Sequence, residues 1–410
     1  MKTAYVATRL VTCDGNPGEL GVVENALLVV ENGLIDFVGP LDTAPAELRS
    51  LPRKAIGNGV VTPGLVDAHT HAAWTGNRHE EYAMRMAGAS YVEIAAAGGG
   101  ILSSHRAIAT SADDELANVL CARLARMASL GVTTVEVKSG YGLTANEERK
   151  QLRAIASAGA RADLPHVVPT FLALHALPQE ARQNDAAREA YVAGVVSELL
   201  PEIAESKLAT FVDAYVDANA FSSAEARTLA EASKTAGLEL RLHAGQFADI
   251  GAAELAAEYG AASVDHLEHL PKRGAEALAQ AKVAAVLLPL ASFTLGQAPP
   301  PVALLREAGA SLVVASDANP GTAPTESLPL AMAFAVRSYG MTPTEVLLGA
   351  TKHAARSLRS PRGVLRRGAP ADFVVWDLPH EFAIIQPWGT SKTSLVVRDG
   401  MTIYEAAAPR

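Results

Sequence analysis

Two histidines separated by one residue, His69-Thr70-His71, follow the run Leu65-Val66-Asp67-Ala68. Strand side chains alternate between faces, so residues two apart point the same way. Two imidazoles on one face can grip a divalent metal at about 2.0–2.1 Å. Alone, the pattern also describes two buried histidines satisfied by hydrogen bonds, so its neighbours matter. His243 closes Leu240-Arg241-Leu242, His266 closes Ser263-Val264-Asp265, and Asp317 follows Val313-Val314-Ala315-Ser316. A carboxylate ending an apolar run is expensive to desolvate unless a partner such as a cation meets it. Three imidazoles and a carboxylate suit zinc or iron and leave a position for water. Such a metal lowers the pKa of water to about 7, which gives a hydroxide nucleophile at neutral pH.

Residues so far apart need a scaffold that gathers strand ends. Between residues 63 and 359, apolar runs alternate with alanine-rich helical stretches such as 114–130, 222–236 and 251–259. Eight strand candidates end near His71, Lys138, His175, Asp217, His243, Glu268, Pro289 and Asp317. This pattern predicts a (β/α)8 barrel of the TIM type, whose active site lies at the C-terminal ends of the strands. Five of the 11 histidines fall at such ends. The termini read differently. Asn32-Gly33 and Asp399-Gly400 each separate two apolar runs, a hairpin signal. Residues 1–62 and 360–410 are therefore expected to form one small β-sandwich domain, split in sequence and joined in space. Gly98-Gly99-Gly100 lacks the context of a phosphate turn and reads as a flexible loop near a site.

The chain of 410 residues carries 44 acidic and 35 basic side chains, a net charge of −9, with 49% hydrophobic residues. That is ample for a core and excludes intrinsic disorder. The acidic balance with no basic block speaks against nucleic acid as a partner. Cys13 and Cys121 cannot build a disulfide framework or a zinc–thiolate site. The start lacks an apolar signal segment, and the greasiest run, Val283 to Leu295, is too short for a membrane span. A cytoplasmic enzyme with no membrane partner is the expectation.

With these residues in place, the chain resembles the amidohydrolase superfamily, in PGLVDAHTH at 63–71, His243, the Asp265-His266 pair, Asp317 and GAPADFVVWD at 368–377. Within it, HTHAAWTGNRHEEY (69–82), GASYVEIAAAGGGI (88–101), EVKSGYGL (136–143), TFLALHALP (170–178), SVDHLEHL (263–270), LLP (287–289) and SDANPGTAPTES (316–327) resemble the branch that opens 4-imidazolone-5-propanoate to N-formimino-L-glutamate in histidine degradation. The resemblance implies one divalent or trivalent metal, zinc or iron, held by His69, His71, His243 and Asp317. It implies substrate contacts at Arg78, Tyr91, Tyr141, His175, Gln246, Asn319, Gly321 and Thr322, with His266 and Asp317 catalytic. Relatives are commonly homodimers. Lys138 ends the second strand, whereas the carboxylated lysine of two-metal relatives normally ends the fourth. Pairing with Glu136 or Glu268 is expected of it instead. Gln246 and Asp217 stand where relatives often carry Glu, so Gln246 is expected to hydrogen-bond rather than act as a base.

The main rival is a mononuclear deaminase of nucleobases. Such enzymes often place an acid–base Glu three residues after the third ligand, where this chain has Gln246. A catalytically dead scaffold on the same barrel is the rival of another class, and the complete ligand set argues against it.

Overall fold

The computed structural model describes residues 2–89, 93–94 and 98–407. Five strands come first: β1 (Lys2–Val11), β2 (Val22–Glu31), β3 (Leu34–Pro40), β4 (Arg53–Lys54) and β5 (Val60–Pro63). Eight follow: β6 (Leu65–Asp67), β7 (Val132–Lys138), β8 (His166–Leu174), β9 (Phe211–Val216), β10 (Glu239–Ala244), β11 (Ser263–His266), β12 (Ala284–Leu287) and β13 (Ser311–Val314). Three more, β14 (Phe373–Trp376), β15 (Thr393–Arg398) and β16 (Met401–Glu405), complete the set among the described residues.

Strands β6 to β13 pair in parallel, each with its neighbour in chain order, with at least one helix in every connection between them. The sequence explains both element types. Strand β7 reads Val-Thr-Thr-Val-Glu-Val-Lys and is buried at every position, as a parallel strand covered on both faces should be. The helix Ser223–Ala236 starts on a reciprocal cap between Ser222 and Glu225 and stops at Gly237, whose φ is +74°. Closure of the barrel does not use a regular ladder. Asp317 N–H donates to His69 O at 3.0 Å, His71 N–H to Ala318 O at 3.1 Å, and Ser316 N–H to the buried carboxylate of Asp67 at 3.0 Å.

All eight expected strands are present, but four end earlier than expected. Strand β6 stops at Asp67, β11 at His266, β12 at Leu287 and β13 at Val314. The backbone leaves extended geometry at the site itself: His266, Leu267 and Asp317 take φ values of +84°, +75° and +53°. Bulky residues at positive φ are uncommon and cluster where function demands a particular aim.

The two ends of the chain build a second, mixed sheet in the order β16-β15-β14-β5-β1-β2-β3, with β4 also on β1. Both expected hairpins form, at Asn32-Gly33 and Asp399-Gly400, with all four residues at positive φ. Strand β5 pairs in parallel with β1 and antiparallel with β14, where Phe373 faces Pro63. One residue later the chain enters β6. Trp376 Nε1–H reaches across to Thr62 Oγ at 2.9 Å, so both ends of the chain grip the entrance to the barrel. No helix among the described residues is long and apolar enough to cross a membrane.

Candidate active site

At the barrel mouth, His69, His71 and His243 bring one ring nitrogen each to within 4.8 Å of the others. His71 Nε2 and His243 Nε2 are 3.3 Å apart. Asp317 Oδ1 is 3.4 Å from His69 Nε2 and 3.5 Å from His71 Nε2. Donors about 2.0–2.1 Å from a tetrahedral centre stand about 3.3–3.4 Å from one another, so these separations are the edges such a centre requires. His69 Nε2 and Asp317 Oδ1 are buried and have no hydrogen-bond partner among the described residues. Orphaned buried acceptors are rare and call for a ligand.

Beneath the imidazoles lies a layer of buried charge. His69 Nδ1–H donates to Asp265 Oδ2 at 2.6 Å, and His243 Nδ1 lies 3.0 Å from Asp213 Oδ2, off the hydrogen-bond angle. Lys138 Nζ donates to Glu136 and Asp213, both at 2.8 Å. Arg241 donates to Ala68 O at 2.8 Å and approaches Asp265 at 3.5 Å. The Lys138 partners are thus Glu136, as expected, and Asp213 rather than Glu268. Glu268 instead takes the Ser292 hydroxyl at 2.6 Å and stands 3.9 Å from His266 Nδ1. A carboxylate behind a ligating imidazole fixes its tautomer and orientation.

Electrostatics follow from burial. Desolvation drives His69, His71 and His243 well below the ordinary imidazole value, helped by Lys138 and by their mutual proximity, so each is neutral and able to ligate. Burial pushes Asp317 up to about 6, against the pull of His266. Burial also depresses His266, but Glu268, Asp317 and Asp265 outweigh it and raise its value.

A cavity opens above this cluster. Arg78, Tyr141, His175, Gln246, Asn319 and Thr322 line it, together with His71, His243, His266 and Asp317. The Arg78 Nε and Nη2 groups pair with one oxygen of Glu81 at 2.8 and 2.6 Å. A Cβ on Gly321 would lie 2.4 Å from Arg78 Nη1, so the glycine is there to make room for the arginine. His175 Nδ1–H donates to Gly140 O at 2.8 Å, and burial holds its value down to about 4. Tyr215 O–H donates to Gln246 Oε1 at 2.8 Å. The Asn319 side chain is engaged in its own loop: Oδ1 accepts from Gly321 and Thr322 N–H at 2.8 and 2.7 Å, and Nδ2 donates to Asp317 O at 2.7 Å. Tyr91 lies outside the described residues.

The Amidohydrolase family model matches residues 60–403. An imidazolonepropionase of Cupriavidus pinatubonensis is 44% identical over 383 residues, 92% of this chain and 89% of the relative. One from Paracoccus denitrificans is 42% identical over 374 residues, 91% and 92% of the two chains. The chain belongs to the imidazolonepropionases, within the amidohydrolase family. Family and donor set together make it a hydrolase that uses a divalent metal ion, water and a small substrate. Among solved structures it shares its fold with a triazine hydrolase from Arthrobacter aurescens (TM-score 0.75, 18% identity, 98% of this chain and 95% of that one). It shares it equally with a guanine deaminase from C. acetobutylicum (TM-score 0.75, 16%, 98% and 100%).

In this imidazolonepropionase family member, several site residues escaped sequence reasoning. Tyr215 and Phe247 line the cavity and Asp213 backs His243, while Asp265, marked in the sequence only as half of the Asp265-His266 pair, backs His69. A usable signal existed: Glu136 and Lys138, Asp213 and Tyr215, Arg241 and His243, and Ser263 and Asp265 all repeat at the two-residue spacing of one strand face. Asp217, which stands where relatives often carry Glu, accepts Phe247 N–H at 2.9 Å and Ala218 N–H at 2.8 Å, which pins the loop after β10.

Proposed function

We propose that this hydrolase opens the ring of 4-imidazolone-5-propanoate to N-formimino-L-glutamate, as the names of its relatives suggest. The supporting observation is the set of four convergent donors beside a cavity that also carries an arginine and several hydrogen-bonding side chains. In this reading His69, His71, His243 and Asp317 hold one zinc or iron ion. Such an ion supplies Lewis-acid polarisation of the ring carbonyl and acidifies water toward a pKa of about 7.

The chain's own residues do the rest. Arg78, held on its other edge by Glu81, offers Nη1 to the propionate. Tyr141, Tyr91 and Thr322 add hydroxyl donors. Because Tyr215 occupies Oε1, Gln246 has its amide N–H groups left for the substrate. The His175 proton sits on Nδ1 toward Gly140 O, which leaves Nε2 as an acceptor. Asn319 shapes the loop at Asp317 and borders the substrate cavity, and Gly321 serves the substrate by leaving room for Arg78. Asp317 takes a proton from the attacking water. His266, whose charged form is favoured by the carboxylates around it against the effect of burial, stabilises the oxyanion as the water oxygen bonds to the ring carbon. The ring C–N bond then breaks, and the departing nitrogen leaves with the transferred proton.

The domain assignment accompanying this reading is a catalytic unit of 63–359 and a composite β unit of 1–62 with 360–410. The reading is tested by metal analysis of freshly purified protein beside two assays, loss of 4-imidazolone-5-propanoate and ammonia release from guanine, adenosine and cytosine. The expected result is about one metal per chain and activity in the first assay alone. Ammonia release without imidazolone consumption would replace the reading with the deaminase.

A further inference from the structure

Four consecutive backbone N–H groups, Gly140 to Leu143, are captured by two side chains of the helix Ala145–Gly159. Gly140 and Leu143 donate to the two carboxylate oxygens of Glu148 at 2.9 and 2.8 Å. Tyr141 and Gly142 both donate to Gln151 Oε1 at 3.0 and 2.7 Å. Gln151 Nε2–H in turn donates to Ala73 O at 2.7 Å, two residues beyond His71. Glu148 is 4% exposed and Gln151 is fully buried. The helix gains nothing from two buried polar groups at these positions, where an apolar residue would pack without desolvation cost. The turn fits the helix closely: a Cβ on Gly142 would lie 2.2 Å from Glu148 N.

The turn carries two walls of the cavity. The Tyr141 ring lies 5.7 Å from that of His71 and 5.3 Å from that of His175. Gly140 O accepts the His175 Nδ1 proton. A four-residue turn with no ladder partner would otherwise send its N–H groups to water and sample several conformations. Captured from one side, it has a single one.

We propose that Glu148 and Gln151 are positioning residues for substrate binding, fixing Tyr141 directly and His175 through the Gly140 carbonyl. This rests on the reading that Tyr141 and His175 meet the substrate. Glu148→Gln sets an amide N–H₂ against a backbone N–H, and Gln151→Met removes the shared acceptor at nearly constant volume. Leu152→Ala, a buried apolar position on the same helix, is the control for simple loosening.

The test uses the metal-loaded full chain. Amide hydrogen exchange at 140–143 is expected to quicken in both variants. KM for 4-imidazolone-5-propanoate should rise about tenfold or more, with kcat within about threefold and metal content unchanged. Leu152→Ala should lower Tm and leave KM alone. Faster exchange with unmoved KM would overturn the proposal, as would a joint loss of kcat and metal. A wild type inert toward this compound would overturn the substrate reading instead. Exchange would then decide the clamp on its own, and unchanged rates at 140–143 in both variants would sink it.

Discussion

His266 is the residue on which the proposed chemistry turns, and it stands just outside the donor set. Its ring lies 5.9 Å from that of His69 and 5.5 Å from that of His243, and its backbone is in the left-handed region. His266→Ala should cost about 10²–10⁴-fold in kcat while the protein keeps its metal. Loss of metal in that variant, read by elemental analysis, would recast the residue as a ligand. Lys138 makes a contrasting case, since it touches no donor and holds the carboxylates behind them. Lys138→Met takes the nearest cation from buried Glu136 and Asp213 and leaves them only Arg241, 3.9 Å from Glu136, at a cost of about 3–5 kcal/mol in stability. Metal affinity should fall about 10–100-fold through the misdirected imidazole of His243, measured by chelator competition. A variant with lower Tm and unchanged metal affinity would assign Lys138 to folding alone.

At the scale of elements, the helices are set by local signals and the strands by burial. Ser222→Ala removes the hydroxyl from the reciprocal cap of the helix Ser223–Ala236. It should cost about 1 kcal/mol, a fall of about 2 °C in Tm, with kcat/KM unchanged. A shift in activity would mean that this helix does more than cover β9 and β10. The eight barrel strands, both hairpins and the His-x-His and Asp317 ends were legible in the sequence, because short apolar runs and Asn-Gly or Asp-Gly turns act over a few residues. The partners of Lys138 were only half legible. Glu136 lies two residues away on its own strand, whereas Asp213 comes from another strand, and pairing across the barrel has no sequence spacing. The Glu148 and Gln151 clamp was illegible for a related reason. Their sites on a helix look like any polar surface positions until the fold buries them.

For the whole molecule, the contact between the barrel and the composite sheet carries its own titration. His166 begins β8, near Arg362 and Arg398. Burial first, and those two cations next, hold its value down to about 4 from 6.5. A depressed histidine contributes stability that is present above the unfolded value and lost as pH falls through the folded one. The fall in Tm between pH 6.5 and 4 should therefore be shallower for His166→Gln than for the wild type. Parallel curves would place the acid sensitivity elsewhere.

Strand β5 lies between β1 and β14, and the whole barrel separates Pro63 from its partner Phe373 in the sequence. At translation rates of about 5–20 residues per second, the ribosome takes on the order of tens of seconds to make what lies between them. Throughout that interval a nascent chain has β5 made and its second neighbour missing. That leaves a bare strand edge next to the segment that starts the barrel, the kind of surface that pairs with the wrong chain. Synthesis therefore imposes a waiting period on this architecture, and chaperone demand should follow elongation rate: slowing translation should lower soluble yield of the intact chain even though no native contact has changed.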